Sequence, residues 1–279
     1  MVLPRWSRVL EKLSHAAQMA HQAQQVVTSE VLLGFLPEQQ RSEFTFLAYS
    51  KMSSYLPGGE TFEGGLAPWE LRLLEHPEVP RHGRVLLAGA GGGRELSALA
   101  ARGYHVYAFE PTAALLAGAR AVASRSAGSV CVLGSYADMT LAVDGRGPLA
   151  SAPAPFDLVY FGWGSFTHVT RPSEQLAILS AARALGPRAP LLLSFWLRRP
   201  VADSKTERFR RRVRSVLGHL GAVRPLDGVI FHHGPGFAYQ FTPAELEELA
   251  RRAGYRVALL SDEGFPHALL VPVAASDGS

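Results

Sequence analysis

An α/β fold with a doubly wound, mostly parallel sheet is predicted by two features of the sequence. Short apolar segments alternate with helix-like segments through the middle of the chain, an arrangement typical of parallel sheets that carry helices on both faces. A glycine-rich turn at Gly89, Gly91 and Gly93 follows the first apolar segment and precedes a helix, at the position where open parallel sheets bind ligands. Seven strands are expected, at 84–88, 105–110, 130–133, 156–161, 191–196, 256–260 and 268–273.

The last two of these strands are expected to be antiparallel neighbours. The segment 261–267 that joins them is too short for the crossover helix that parallel neighbours need. The helix before them is the best defined in the sequence, because Thr242 and Glu245 form a capping box around Pro243 and Gly254 stands just past the end. The sheet is therefore expected to have its last strand antiparallel.

Two further regions are expected outside this sheet. Residues 1–81 are interpreted as a helical N-terminal extension or cap, because apolar residues recur there at helical spacing before a series of turn residues. Residues 82–279 then form the core domain. Residues 197–241, between the fifth strand and the last helix, are interpreted as an insertion that acts as a lid.

Composition narrows the class of protein. The 47% of hydrophobic residues is the average for globular proteins, and the formal charge of +4 is too small to indicate an acidic partner. The single cysteine, Cys131, excludes an internal disulfide and a cysteine metal cluster. No segment has the apolar core of a signal peptide or the length of a membrane span, so a soluble cytoplasmic protein is expected. The sequence leaves the oligomeric state open.

The glycine loop distinguishes between classes of cofactor. A dinucleotide-binding loop has the spacing Gly-x-Gly-x-x-Gly, and here Arg94 occupies the position of the last glycine. The spacing present is Gly-x-Gly-x-Gly, and over residues 82–196 and 241–273 the chain resembles the class I S-adenosylmethionine-dependent methyltransferases. The resemblance implies a Rossmann-like fold with S-adenosyl-L-methionine as cofactor. It also implies cofactor contacts from Gly89, Ala90, Gly91 and Gly93.

One position departs from the pattern of this family. Leu87 stands where the family has an acidic residue, two positions before the first glycine of the loop. The polar contacts that the acid usually organises must then come from elsewhere or be absent. Glu95, just after the loop, is a candidate substitute.

The carboxylates that follow the loop are candidates for nucleoside recognition. Glu110 ends the second strand next to Pro111, and a carboxylate there can accept hydrogen bonds from both ribose hydroxyls. NAD enzymes use an acid in the same way, so Glu110 indicates a nucleoside without selecting the cofactor. The resemblance implies that Glu110 binds the ribose, that the adjacent Pro111 contacts the cofactor, and that Asp138 faces the adenine amino group. Turn formation is the alternative role for Asp138.

The end of the fourth strand resembles the fourth motif of this family, in which a strand ends beside the transferred methyl group. The resemblance places Phe161 and Gly162 next to the cofactor, with Trp163 and Phe166 as walls of the substrate site. His168 follows and titrates near neutrality, so it is the candidate general base. A packing role for His168 is the alternative, since many enzymes of this class use no base.

The insertion contributes a second set of candidates. His232, His233 and Tyr239 are expected to bind substrate, although adjacent histidines on a strand face opposite sides. No metal is expected, because the further ligands that one needs cannot be placed. Between Arg198 and Arg224, nine Lys or Arg residues accompany only two acids. This run indicates either a solvated helix face or a docking face for an acidic substrate, a carrier protein or RNA.

These observations together predict methyl transfer from S-adenosyl-L-methionine to an oxygen or nitrogen of a small molecule or natural-product intermediate. An acidic or carrier-bound substrate is one option. The sequence has no convincing base-stacking platform or base-methylating signature, so nucleic acid is not favoured as a substrate. An NAD-dependent oxidoreductase and a non-catalytic nucleoside-binding scaffold are the alternatives, the second kept open by Leu87.

Overall fold

A computed structural model describes residues 5–200 and 203–273, so parts of the predicted ranges 1–81, 82–279 and 197–241 lie outside the described residues. The main sheet consists of seven strands in the order β3-β2-β1-β4-β5-β10-β9. The strands among the described residues are β1 (Gly83–Ala88), β2 (Tyr104–Glu110), β3 (Val130–Leu133), β4 (Leu158–Phe161), β5 (Leu191–Ser194), β6 (Trp196–Leu197), β7 (Val229–His232), β8 (Gly236–Phe241), β9 (Tyr255–Ser261) and β10 (His267–Pro272).

The sheet has the predicted mixture of strand directions. Strands β1 to β5 are parallel to one another, whereas β10 is antiparallel to both β5 and β9. The prediction of seven strands with an antiparallel last strand is confirmed. Because the chain returns from β3 to place β4 on the other side of β1, the strand order reverses at β1 and β4, and open sheets bind ligands at such a point.

Helices cover both faces of this sheet. Strand β1 shows the alternation that two covered faces require: Leu86 and Ala88 pack in one buried apolar layer, and Val85 and Leu87 pack in the other. Among the described residues, no helix combines the length and the apolar character of a membrane span. The helices are α1 (Arg5–Phe35), α2 (Glu38–Tyr49), α3 (Glu60–Glu63), α4 (Pro68–Leu74), α5 (Arg94–Ala100), α6 (Ala113–Ala123), α7 (Tyr136–Val143), α8 (Pro172–Leu185), α9 (Lys205–His219) and α10 (Pro243–Arg252).

The N-terminal extension consists of α1 to α4 and the turns between them. Pro37 separates α1 from α2, because proline lacks the N–H that would continue the first helix. After α2 the chain makes a 3-10 turn at Ser53–Tyr55, which lies directly on the glycine loop of the core. A Cβ atom at Gly92 would collide there with the carbonyl oxygen of Tyr55. The extension and the loop are therefore in backbone contact.

The insertion is attached to this extension. It contains α9 and the hairpin β7–β8, which pairs with β6 in a small second sheet. Arg214 donates to both carboxylate oxygens of the buried Glu30 on α1, at 2.9 and 3.0 Å. The N–H of Phe237 on β8 donates to Thr45 Oγ1 on α2 at 3.1 Å. The insertion thus holds α1 and α2 against the core.

The basic run of the insertion is largely neutralised by ion pairs. Arg214 and Arg210 share Glu30, which comes from α1. This pairing ties one face of α9 to α1, and a docking role for the basic run stays a prediction. The other pairs join Arg208 and Arg211 to Asp203, Arg210 to Glu207, Arg198 to Asp227 and Glu245, and Arg199 to Asp262.

Candidate functional site

A cavity of about 440 Å³ lies at the carboxyl ends of β1, β2 and β4, where the strand order reverses. Its floor is the glycine loop, its sides come from the segments that follow β2, β3 and β4, and its cover comes from the N-terminal extension. We call this cover the cap; it consists of Ser42, Thr45, Phe46, Tyr49, Tyr55, Thr61 and Phe62. No described residue of the insertion lines the cavity, and the lid role expected for 197–241 stays a prediction.

The glycine loop brings backbone atoms to the cavity floor. The N–H groups of Gly89 and Ala90 both donate to the carbonyl oxygen of Phe109 at 3.0 Å, which fixes the loop to the end of β2. Gly91 has a φ of 56°, and a Cβ there would meet nothing within 4 Å, so its face is open. Gly162 packs closely against the loop. A Cβ at that position would collide with the carbonyl oxygen of Gly89, so only glycine fits there.

Glu110 stands at the end of β2 with only 4% of its surface exposed. Its Oε2 accepts a hydrogen bond from the N–H of Gly91 and its Oε1 accepts one from the N–H of Thr112, each at 2.8 Å. Burial raises the pKa of the Glu110 carboxyl, and the two backbone N–H groups oppose that shift because they favour the charged form. The carboxyl group is thus held in one orientation beside the loop, with acceptor lone pairs left for hydroxyl groups in the cavity.

Arg94 joins two carboxylates in a buried cluster beside the loop. It donates to Glu70 through Nη1 and Nη2, at 2.7 and 2.8 Å, and to Glu95 Oε1 through Nη2 at 2.7 Å. Burial alone would lower the pKa of Arg94, but the Glu95 and Glu70 carboxylates reverse this effect and raise it. Arg94 and Glu95 line the cavity, whereas Leu87 is fully buried in the apolar layer.

His168 is held between the N-terminal extension and the insertion. Its Nδ1 donates to the carbonyl oxygen of Phe237 on β8 at 2.7 Å, which fixes the tautomer of the neutral ring. The Nε2 atom is then an acceptor, and it accepts the hydroxyl of Tyr49 at 2.9 Å. Burial lowers the pKa of His168 from the ordinary value of 6.5. A neutral histidine and a tyrosine hydroxyl therefore meet at the cavity wall.

The lowered pKa of His168 predicts a pH dependence of stability. Between 6.5 and the lower pKa of the folded protein, the unfolded chain binds a proton at His168 that the folded chain does not bind. The free energy of unfolding should therefore fall as the pH falls below about 6.5. A His168→Gln variant should lose less stability over the same interval. Chemical denaturation above and below that pH checks this, and equal losses in both proteins would contradict it.

The remaining predicted residues on the core side surround the cavity at different depths. Trp163 and Pro111 line it, and the Trp163 ring lies 5.1 Å from the Arg94 guanidinium carbon. Phe161 and Phe166 are fully buried behind the wall, where both pack against the ring of Tyr136. The lining residue is Tyr136, in place of the two phenylalanines that the sequence indicated.

Asp138 and Gly93 have local backbone roles. Asp138 Oδ2 accepts from the N–H and the hydroxyl of Ser135, at 2.8 and 2.9 Å, and so caps the start of α7. The neighbouring residues Tyr136 and Ala137 line the cavity, but Asp138 does not. Gly93 has a φ of 99° at the N-cap of α5, where a Cβ would press on the backbone of Ala119.

The three substrate-binding candidates of the insertion lie outside the cavity lining. His232 packs edge-on against Trp196, His233 Nε2 lies 3.0 Å from the carbonyl oxygen of Gln25, and Tyr239 donates to Glu245 at 3.3 Å. The hairpin β7–β8 turns these side chains toward neighbouring elements. What the hairpin supplies to the site is a backbone carbonyl, that of Phe237, and no residue pattern identifies such a group in advance.

The sequence analysis expected a cap in residues 1–81 but did not identify the residues of that cap that line the cavity. Its aromatic members Phe46, Tyr49 and Tyr55 belong to a stretch that begins at Phe44 and contains four aromatic residues, in an extension that is elsewhere rich in Ala, Gln and Ser. That local enrichment was the available signal. Helical periodicity alone could not show which face of α2 meets the core, because the core surface it covers is built from segments more than a hundred residues away.

Comparison with known proteins identifies the fold. No protein-family model matches the chain, and no curated protein matches its sequence. Among solved structures, it is similar to 1,6-didemethyltoxoflavin-N1-methyltransferase from Burkholderia thailandensis, with 19% identity, a TM-score of 0.55 and coverage of 85% of this chain and 91% of that chain. That structure contains 1,6-didemethyltoxoflavin and S-adenosylhomocysteine.

Two other structures have the same degree of similarity. The DhpI complex with S-adenosylhomocysteine matches with 18% identity and a TM-score of 0.54, over 86% of this chain and 100% of that chain. A protein from Pyrococcus horikoshii OT3 matches with 17% identity and a TM-score of 0.56, over 81% and 98%. The alignments span nearly the whole of each solved chain, so the likeness concerns the complete architecture. This chain therefore has the fold of the class I S-adenosylmethionine-dependent methyltransferases.

Proposed function

We propose that this protein transfers a methyl group from S-adenosyl-L-methionine to an oxygen or nitrogen of a small molecule or natural-product intermediate. The observation that carries the proposal is the buried Glu110 carboxyl, which is fixed by the Gly91 and Thr112 N–H groups on the floor of the cavity. This is a site for the two hydroxyls of a ribose. The S-adenosylhomocysteine bound in two of the similar structures supports the choice of nucleoside.

The charges around the cavity favour this cofactor over a dinucleotide. A dinucleotide places a doubly charged pyrophosphate on the glycine loop. The cation nearest the loop, Arg94, already donates from both terminal nitrogens to the carboxylates of Glu70 and Glu95. With Glu110 included, carboxyl groups outnumber the guanidinium at this end of the cavity. An acidic wall suits a cofactor that carries a sulfonium and an ammonium group and disfavours a pyrophosphate.

The residues of the cavity would act mainly by orientation. When bound, the cofactor supplies an electrophilic methyl group on a sulfonium, and the reaction is a displacement at that carbon. Glu110 and the glycine loop fix the nucleoside, Tyr136 and Trp163 form walls near the end of β4, and the cap excludes water. The cap, the glycine loop, Tyr136 and Trp163 would therefore determine the direction from which a substrate approaches the methyl group.

The Tyr49–His168 pair would remove the proton that the substrate releases. The Nε2 atom of His168 already accepts the Tyr49 hydroxyl, and both residues line the cavity. Tyr49 takes the proton from the substrate oxygen or nitrogen as it gives its own proton to His168. Burial keeps the pKa of Tyr49 high, so the hydroxyl passes a proton on and does not persist as a tyrosinate.

Calorimetric titration with S-adenosylmethionine, S-adenosylhomocysteine and NAD tests the proposed cofactor. Binding of the first two without NAD is expected. Binding of NAD alone would replace the proposal with an oxidoreductase. The substrate can then be sought by transfer of a labelled methyl group to panels of hydroxylated and aminated small molecules, including acidic and carrier-bound ones. Cofactor binding without transfer to any acceptor would favour a nucleoside-binding scaffold.

With a substrate in hand, His168→Ala should lower kcat by about a hundredfold while cofactor affinity stays within a few fold. The reason is that the proton acceptor is lost while the nucleoside contacts remain. Tyr49→Phe should lower kcat in the same way. His168→Gln should have a kcat as low as that of His168→Ala, because an amide cannot accept the proton. A raised KM with unchanged kcat in these variants would instead make the pair a substrate-orienting group. Turnover close to that of the wild type would remove both residues from the reaction.

A further inference from the structure

The cluster around Arg94 contains two carboxylates, Glu70 and Glu95. Both oxygens of Glu70 accept hydrogen bonds, whereas only one oxygen of Glu95 does so among the residues that the structure describes. Glu70 accepts at Oε1 from Arg94 and from the Tyr160 hydroxyl, and at Oε2 from Arg94 and from the N–H of Ala67. These four bonds, all of 2.7 or 2.8 Å, leave Glu70 no role toward a ligand. Glu70 is also completely buried, away from the cavity lining.

Glu95 differs from Glu70 in all of these respects. It lines the cavity although only 5% of its surface is exposed. Its Oε1 accepts from Arg94 at 2.7 Å and from the N–H of Trp163 at 3.1 Å. Its Oε2 makes no hydrogen bond to any residue that the structure describes. A carboxylate that is nine-tenths buried and has one unpaired oxygen at a cavity wall is a site for a hydrogen-bond donor.

The charge of the cluster indicates that this donor is a cation. Arg94 is the one guanidinium shared by Glu70 and Glu95, and its terminal nitrogens are occupied by these carboxylates and by the carbonyl oxygen of Gly65. Two carboxylates and one guanidinium leave one negative charge uncompensated when all three are ionised. A cationic donor at Glu95 Oε2 would compensate it, and a neutral or anionic group would not.

The strand order places this oxygen at the opposite side of the loop from Glu110. Glu110 ends β2, Glu95 is bonded to Trp163 just after β4, and the glycine loop of β1 lies between these strands. A nucleoside that rests its ribose on Glu110 and crosses the loop therefore brings its other end to Glu95. In S-adenosylmethionine that end is an amino acid, whose ammonium group donates hydrogen bonds, whereas the sulfonium has none to donate.

We propose that Glu95, oriented by Arg94 and Glu70, binds the ammonium group of the cofactor's amino-acid end. This inference rests on the proposed function, and it names the contact that selects a cofactor with a free amino group. It also assigns a task to the N-terminal extension, because α4 contributes the Glu70 that holds Arg94. Leu87 then needs no polar replacement on β1 itself, since the carboxylate reaches the cavity from the first turn of α5.

The test compares S-adenosylhomocysteine with two analogues, one deaminated and one, 5′-methylthioadenosine, that lacks the whole amino-acid end. Calorimetry measures each affinity for the wild type and for Glu95→Gln. The variant should bind S-adenosylhomocysteine at least about tenfold more weakly, because a hydrogen bond between charged groups is lost. For each analogue, the affinities of the wild type and of Glu95→Gln should agree within about twofold, because the analogues lack the group that Glu95 contacts.

Two further variants keep the result interpretable. Glu75→Gln removes an exposed carboxylate at the end of α4 and should leave all three affinities unchanged. Glu95→Asp retains the charge that Arg94 needs but withdraws the carboxylate by one methylene, so it should show the same selective loss if Glu95→Gln proves unstable. Equal weakening of all three ligands, or no weakening of any, would overturn the role of Glu95. Failure of the wild type to bind any of the three would overturn the proposed function itself.

Discussion

Replacing Gly91 with valine should abolish measurable binding of S-adenosylmethionine while the protein remains folded. Gly91 has a φ of 56°, which a β-branched residue adopts only with strain, and the direction of its missing Cβ is open. The added side chain would occupy the cavity floor on which we propose that the nucleoside rests. It would also displace the N–H that Glu110 accepts at 2.8 Å. We expect the affinity to fall by about a thousandfold or more, from loss of fit and of this bond together.

A matched control separates backbone strain from the loss of the site. Gly103 also has a positive φ, of 87°, and a Cβ there would likewise meet nothing within 4 Å, but it lies in an exposed turn away from the cavity. Gly103→Val should lower the melting temperature by an amount similar to Gly91→Val and leave cofactor affinity unchanged. Normal binding by Gly91→Val, measured by calorimetry, would show that the loop is not the cofactor floor.

Replacing Glu110 with alanine should weaken binding of S-adenosylhomocysteine and of 5′-methylthioadenosine by the same large factor. In the proposed function the carboxyl group accepts hydrogen bonds from both ribose hydroxyls, and hydrogen bonds to a charged group contribute about 1.5 to 3 kcal/mol each. Loss of two such bonds predicts a fall in affinity of at least about a hundredfold. The common effect on both ligands distinguishes Glu110 from Glu95, whose removal should affect only the ligand with an ammonium group.

The stability of the Glu110 variant needs a separate measurement. The N–H groups of Gly91 and Thr112 lose their acceptor in Glu110→Ala, so part of the loss in affinity could come from a disordered loop. Glu110→Gln keeps one carbonyl acceptor and should recover thermal stability better than it recovers affinity. If both variants bind the two ligands as the wild type does, the ribose is not held by Glu110.

The core of the fold could be predicted from the sequence because its signals are local. The alternating segments, the Thr242–Glu245 capping box and the short link 261–267 each depend on neighbouring residues, and the sheet of seven strands follows from them. The glycine loop and Glu110 could be located for the same reason. Each lies at a strand end whose position in a parallel sheet fixes where its side chain or backbone can reach.

The other half of the site could not be predicted, because it depends on contacts between distant segments. The Tyr49–His168 bond joins α2 to the segment after β4, and its geometry depends on the Phe237 carbonyl of the insertion. Nothing in the spacing of Tyr49 indicates such a partner. Asp138 illustrates a related difficulty, since the same short sequence suits a ligand contact and a helix cap, and the structure shows the cap.

The chain Tyr49–His168–Phe237 also bears on the order in which the protein matures during synthesis. The loop, Glu110 and strands β1 to β5 are all synthesised before the insertion, and the parallel pairing among these strands involves no later segment. The tautomer of His168 is fixed only when β8 has emerged and docked on α2. His168 is thus oriented by a segment that is synthesised after the glycine loop and Glu110, and truncation within the insertion should yield a protein in which His168 lacks this orientation.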